Sequence, residues 1–155
     1  MKLENLAKAL KDNPFTAPLT DAQRTFLAGC AKNVRFAVDE YLFREGEPAN
    51  ELFLVREGRA ALESHLPQRG AVTVESLGAG EVLGWSALFP PHRWHLSARA
   101  MESCRAFSID AECLRNKLSQ DDAFAYQLTR LLLFQLHKRL ERARLQQLDV
   151  YRAEL

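Results

Sequence analysis

The sequence predicts a mainly β domain flanked by helices, built as a small antiparallel barrel, sandwich or roll. Three observations carry this. The middle of the chain is a series of short apolar runs at roughly even spacing, broken by glycine turns. Both ends have helical periodicity instead. No strand–helix–strand alternation runs through the middle, which argues against βαβ units.

Taken in order, Leu3, Leu6, Ala7 and Leu10 recur at helical spacing, and Asn13-Pro14 ends that helix. Thr20-Asp21 starts a second, with Phe26, Leu27 and Cys30 on one face. The period changes at Val34. Val34, Phe36 and Val38 alternate with polar or small residues, and Tyr41 and Phe43 repeat the pattern. Gly46, Pro48 and Asn50 mark a turn. Leu52, Phe53, Leu54 and Val55 form a short apolar strand stopped by Glu57-Gly58. Ala60, Leu62 and Ser64 begin the next strand, residues 67–70 break it, and Val72, Val74 and Leu77 form another. Residues 96–100 and 104–109 read as two more, the second with Ala106, Phe107 and Ile109 apolar.

From Asp110 the period is helical again. Asp110 is an N-cap, with Cys113, Leu114 and Leu118 facing inward. Ser119 caps a longer helix that begins near Asp121 and runs to about Tyr151 without proline or glycine. Its first half, residues 124–134, reads as core. Further on, Leu133, Leu136, Leu140, Ala143, Gln147 and Val150 are spaced 3-4-3-4-3, the spacing of a coiled-coil seam with one polar interruption. That half predicts a homodimer through paired helices, the alternative being packing on its own domain. Lys138, Arg139, Arg142 and Arg144 read as a solvated face, partly paired with Glu141. Residues 1–120 and 121–155 belong to one domain, since no low-complexity linker separates them.

Composition narrows the function classes. The 155 residues are 47% apolar with a net charge of +1, so the chain has material for a core but no global field favouring nucleic acid or acidic membranes. No apolar run approaches the roughly 20 residues of a membrane helix. The charged start, MKLENLAKALKDNP, has no signal-peptide apolar region. Cys30, Cys104 and Cys113 are odd in number and lack CxxC spacing, which predicts reduced thiols in a cytoplasmic protein rather than a disulfide scaffold. His65, His92, His95 and His137 are scattered, so neither a metal site nor a cupin-type enzyme is expected; no catalytic triad is recognisable.

Residues 77–100, LGAGEVLGWSALFPPHRWHLSARA, hold the candidate site. Gly78, Gly80 and Gly84 are followed by Trp85-Ser86-Ala87-Leu88, then Pro90-Pro91, Arg93 and Trp94. A helical turn opening on Gly84 aims unpaired backbone N–H groups outward and makes an anion cradle. Arg93 is the second hand for a phosphate. The alternative is a glycine-rich loop packed by its own aromatics, with Trp94 as packing and Arg99 an outward strand arginine.

This order of elements, with its motifs, resembles the cyclic-nucleotide-binding domain of the catabolite-activator (Crp/Fnr) regulators. Residues 39–46 (DEYLFREG), 51–58 (ELFLVREG) and 80–84 (GEVLG), and Arg99-Ala100, each look like a segment of that family's pattern. The resemblance covers nearly the whole chain. It implies an antiparallel β-roll, jelly-roll-like, with a long C-terminal helix that closes over the ligand and forms the dimer. It implies that cyclic AMP or cyclic GMP, or another anionic ligand, sits on the cassette of Gly84, Trp85, Ser86, Ala87 and Leu88, with Arg93 on the phosphate and Trp94 beside it.

Two departures accompany the resemblance. Trp85 stands where the family usually has a glutamate for the ribose hydroxyl, and an indole accepts no such bond. The segment around Arg93 is about one residue short. The chain also ends near the long helix, with no residues for the family's helix-turn-helix. Direct DNA binding is therefore not expected, nor a membrane. The expectation is a cytoplasmic, non-enzymatic sensor that signals to a partner protein through its last helix. The alternative is a non-binding interaction module of the same fold, with Trp85 and Trp94 filling the pocket.

Overall fold

The computed structural model describes residues 3–153. Two helices, α1 (Leu3–Asp12) and α2 (Asp21–Gly29), lead into eight strands. These are β1 (Ala31–Phe36), β2 (Tyr41–Phe43), β3 (Glu51–Glu57), β4 (Ala60–Leu66), β5 (Gly70–Leu77), β6 (Val82–Leu83), β7 (Ser97–Ala100) and β8 (Cys104–Asp110). A short 3₁₀ turn, Trp85–Leu88, lies between β6 and β7; α3 (Ala111–Gln120) and α4 (Asp122–Ala153) close the chain. The strands form two four-stranded antiparallel sheets, ordered β1-β8-β3-β6 and β2-β7-β4-β5, around a single core. This is the antiparallel β-roll with a long C-terminal helix.

Local chemistry accounts for most of these elements. Thr20 caps α2 in a capping box with Gln23, which pairs donors and acceptors at the helix start. Leu52, Phe53, Leu54 and Val55 of β3 are all buried, as a strand covered on both faces must be. Ala60, Ala98, Ala100 and Ala106 are fully buried small residues that let the sheets approach closely. The N-terminal turn is tied to the roll by Asn13, whose side-chain amide donates to the Val55 carbonyl at 3.3 Å.

Several sequence expectations are corrected here. The strand expected to reach Val38 stops at Phe36; Asp39 takes a left-handed φ of 72° and turns the chain, leaving Val38 exposed. Val72 and Val74 are exposed because β5 is the edge strand of its sheet and its hairpin with β4 runs beyond the core. Ser119 lies inside α3, where its hydroxyl donates to the Asn116 carbonyl at 2.8 Å. The start of α4 is capped instead by Asp121, which accepts from the Phe124 backbone N–H at 3.0 Å. In α4 only Phe124, Leu128 and Leu132 are buried; Tyr126, Leu133 and Phe134 are exposed.

The cysteine expectation is overturned by a disulfide between Cys30 and Cys113, whose Cα atoms lie 5.9 Å apart. Strand pairing brings them together. Cys30 precedes β1 and Cys113 follows β8, and these strands are antiparallel neighbours with Ala31 opposite Ile109. The Asp110 backbone N–H donates to the Cys30 carbonyl at 2.8 Å, next to the bridge. A separation of 83 residues hides this from spacing arguments. In the chain-entropy account, closing a loop that long restrains the unfolded chain by about 4–5 kcal/mol. Cys104 remains a free, buried thiol, and burial raises its pKa.

Candidate ligand cassette and the helix that grips it

Gly84 opens the cassette turn in a left-handed conformation, φ 94°. A side chain there is excluded twice over. The backbone conformation disfavours it, and a Cβ would lie 2.8 Å from the Trp94 ring and 3.2 Å from the Glu51 carbonyl. The Ala87 N–H bonds back to the Gly84 carbonyl at 3.1 Å, and Ala87 is fully buried. Arg115 of α3 donates to the Ala87 carbonyl at 2.6 Å and holds the turn from outside. Trp85 packs against the core, and its indole N–H is buried with no partner among the described residues.

Residues 92–94 are zipped to the loop before β3. The Ala49 N–H bonds to the His92 carbonyl (2.7 Å), the Trp94 N–H to the Glu47 carbonyl (3.1 Å) and the Gly46 N–H to the Trp94 carbonyl (2.9 Å). Extended backbone alternates its side chains, so Arg93 and Trp94 take opposite sides. Arg93 is exposed and donates to the Gly46 carbonyl at 2.8 Å. Trp94 is 6% exposed and stacks on Phe43, with ring centroids 3.9 Å apart at 16°. Phe43 stacks in turn on Phe53 at 6.0 Å, and Phe36 meets Phe53 edge-on at 5.9 Å. A column of four aromatic rings thus runs through the roll and ends against Gly84. Of the predicted site residues, Gly84 and Trp94 are brought into contact, while Arg93 is turned away from them.

Next to the column lies a polar cluster. Glu63, almost fully buried, accepts from Arg99 Nε at 2.9 Å and from the Tyr41 hydroxyl at 3.0 Å; Arg99 also reaches Asp39 at 2.7 Å. The Glu63 bond stabilises the Arg99 cation and raises its pKa further. Burial, and then the carboxylate of Glu63, raise that of Tyr41. Arg99 is therefore paired with two carboxylates that fasten β7 to β4 and to the turn before β2, and is not a free outward side chain.

That α4 lies over the roll is what the resemblance implies; the residues by which it grips were not identified from the sequence. Gln135 accepts from the Val82 N–H at 2.6 Å and donates to the Gly80 carbonyl at 2.9 Å, so one side-chain amide satisfies the backbone at both ends of the approach to the cassette. Arg139 makes a bidentate pair with Glu75 of β5, at 2.9 and 3.0 Å, and adds a bond to the Val82 carbonyl at 3.1 Å. Arg142 reaches Glu81 at 2.6 Å, a bond that raises its pKa. Arg139 and Arg142 are thus part of a latch and not of a solvated face, and Glu141 pairs with His137 instead. The 4-residue and 3-residue steps from Gln135 to Arg142 are the signal that was available.

The comparisons agree with this architecture. The family model for the cyclic nucleotide-binding domain matches residues 33–121. The chain belongs to the cyclic nucleotide-binding domain family. No curated protein matches it. Among solved structures it is similar to a protein of Geobacter metallireducens GS-15 described as cyclic nucleotide-binding. There the identity is 28% and the TM-score 0.77, over 86% of this chain and 97% of that one. It is also similar to the N-terminal domain of a transcriptional regulator from Streptomyces coelicolor A3(2), with 26% identity and a TM-score of 0.67 over 86% and 94%. It shares its fold with the regulatory domain of Toxoplasma gondii PKA, crystallised with cAMP (19% identity, TM-score 0.66, 83% and 50% covered). The resemblance to Crp/Fnr-type regulators stands. Among the described residues, no helix is long and apolar enough to cross a membrane, and no group of three or more His, Cys, Asp or Glu could hold a metal ion.

Proposed function

We propose that this chain is a regulatory module that works as a homodimer through α4 and passes its state to a partner protein; the cytoplasmic location expected from its cysteines loses that support with the Cys30–Cys113 disulfide. In this reading it takes no cyclic nucleotide in its roll. One observation carries it: Trp94 stacks on Phe43 and abuts Gly84, while the cassette's arginine, Arg93, bonds to Gly46 on the surface. A cyclic phosphate is an anion, and burying it without a cation costs several kcal/mol. The aromatic column supplies packing there and no charge. The module then acts through contacts rather than catalysis, as the alternative reading of the sequence has it. Exposed Leu133, Leu136, Leu140 and Val150 on α4 support the helix-pair dimer.

The retained Gly84 turn favours a second reading, in which a cyclic nucleotide displaces Trp94. Calorimetry separates the two. The first expects no heat with cyclic AMP or cyclic GMP, for the wild type and for Arg93→Ala alike. Saturable heat in the wild type, lost in Arg93→Ala, would establish the second.

A further inference from the structure

We infer that a groove between the N-terminal turn and α4 binds a small apolar carboxylate, with Lys138 taking the carboxylate and the groove taking the apolar body. The site lies outside the roll and goes beyond the reading above, which leaves the roll without a nucleotide. The groove has a volume of about 590 Å³, within the roughly 300–1,000 Å³ of small-molecule sites. Phe15 and Pro18 line it on the side of the turn, and Leu131, Phe134 and Leu145 on the side of α4. Gly80 lies between the two, against Pro14 and bonded through its carbonyl to Gln135. Phe134 and Leu145 are each 61% exposed, so large apolar side chains face solvent along the groove. Apolar residues gathered in this way mark a binding surface more often than scattered ones do.

The class of ligand follows from the charges on the rim. Three cations border the groove, and two are already matched: Arg139 pairs with Glu75 and Arg142 with Glu81. Lys138 takes part in no ion pair among the described residues, and its ammonium lies 5.5 Å from the centroid of the Phe134 ring. Glu141, also on the rim, lies 3.1 Å from His137. One unmatched ammonium at the lip of an apolar groove favours a single negative charge on an apolar body and disfavours a positive one. A phosphate ester carries more charge than one lysine matches, and the arginines are engaged. The site also stays open in a helix pair. At 3.6 residues per turn, Leu131, Phe134, Lys138 and Leu145 lie nearly opposite the seam residues Leu133, Leu136 and Leu140. The inference is therefore independent of the dimer. A ligand seated here bridges the N-terminal turn to α4, beside Gln135 and Arg142 of the latch.

Calorimetric titration of the full chain with octanoate and with octylammonium tests this. The wild type is expected to bind octanoate saturably and to prefer it about fivefold over octylammonium, the scale of an exposed ion pair. Lys138→Glu should invert that preference, and Leu145→Asp should weaken octanoate at least tenfold. Both residues are exposed, and melting of each variant checks that it folds. Hexanoate needs no variant. With two methylenes fewer to bury, it should bind the wild type roughly tenfold more weakly than octanoate. Absence of saturable heat with octanoate overturns the inference. Equal affinities for octanoate and octylammonium overturn the choice of an anion, and equal affinities for hexanoate and octanoate overturn the apolar body. Octanoate binding that is unchanged in both variants puts the ligand elsewhere in the chain and overturns the site. None of these outcomes bears on the titrations with cyclic AMP and cyclic GMP, so the two readings fail separately.

Discussion

Trp94 and Arg139 each hold a segment against the roll, one by apolar stacking and the other by charge. Trp94 has an aromatic column on one side and Gly84 on the other, and nothing ionic takes part in those contacts. Arg139, with a side chain 10% exposed, is held by two bonds to a carboxylate and one to a carbonyl. Salt barely screens stacking but weakens partly exposed ion pairs. The Trp94 contact is therefore insensitive to salt, while the more exposed pair of Arg142 with Glu81 is the part of the α4 attachment most open to screening.

The comparison is broken most severely at its apolar end. Trp94→Ala removes a buried indole from a closed column and is expected to cost about 3–5 kcal/mol. Urea titration measures this, and the loss should be the same at low and high salt. A loss that halves in salt would show that the column is not the main support of this region.

At the polar end, Arg139→Met retains most of the side-chain volume but leaves Glu75 with only the longer contact to Arg142, at 3.5 Å, and takes a donor from the Val82 carbonyl. The expected cost is about 1–3 kcal/mol, smaller at high salt. Combined with Glu75→Gln it should be less than additive, because the two residues share one interaction. Full additivity would mean that the pair contributes nothing. Gln135→Leu is milder, about 1 kcal/mol, and local. Hydrogen exchange at the Val82 amide should accelerate in this variant while the amides of β3 keep their protection. Unchanged exchange at Val82 would remove Gln135 from the latch.

The contrast also explains what was readable in the sequence. The apolar parts of the roll were legible because burial imposes period: β3 is a continuous apolar run, β7 and β8 were located nearly to the residue, and Gly84 announced its turn. Edge positions misled, since Val72 and Val74 alternate correctly yet lie outside the core. The latch and the disulfide were illegible for one reason. Each joins residues far apart in the chain, Glu75 to Arg139 and Cys30 to Cys113, that only the strand order brings together. Arg93 was chosen for its charge, but the backbone zipper to residues 46–49 decides its side, and no local pattern encodes that zipper.

The smallest effect is expected where α4 begins. Asp121 accepts the Phe124 N–H and pairs with Lys117 at 3.3 Å, and the bond from Phe124, followed by Lys117, lowers its pKa. A carboxyl lowered on folding stabilises the fold above its unfolded pKa. That contribution is lost as pH falls through the lower, folded value, a window below about pH 4. Asp121→Asn preserves a good N-cap but has no proton to exchange in that window and no charge for Lys117. Near neutral pH the variant should lie close to wild type. Between about pH 2 and 4 its stability should fall less steeply, by at most one proton in the slope. Parallel acid profiles would mean that Asp121 carries no charge-dependent share in starting α4. Its role would then be that of any neutral cap, and the ionic control of the helix would lie in the latch pairs of Arg139 and Arg142.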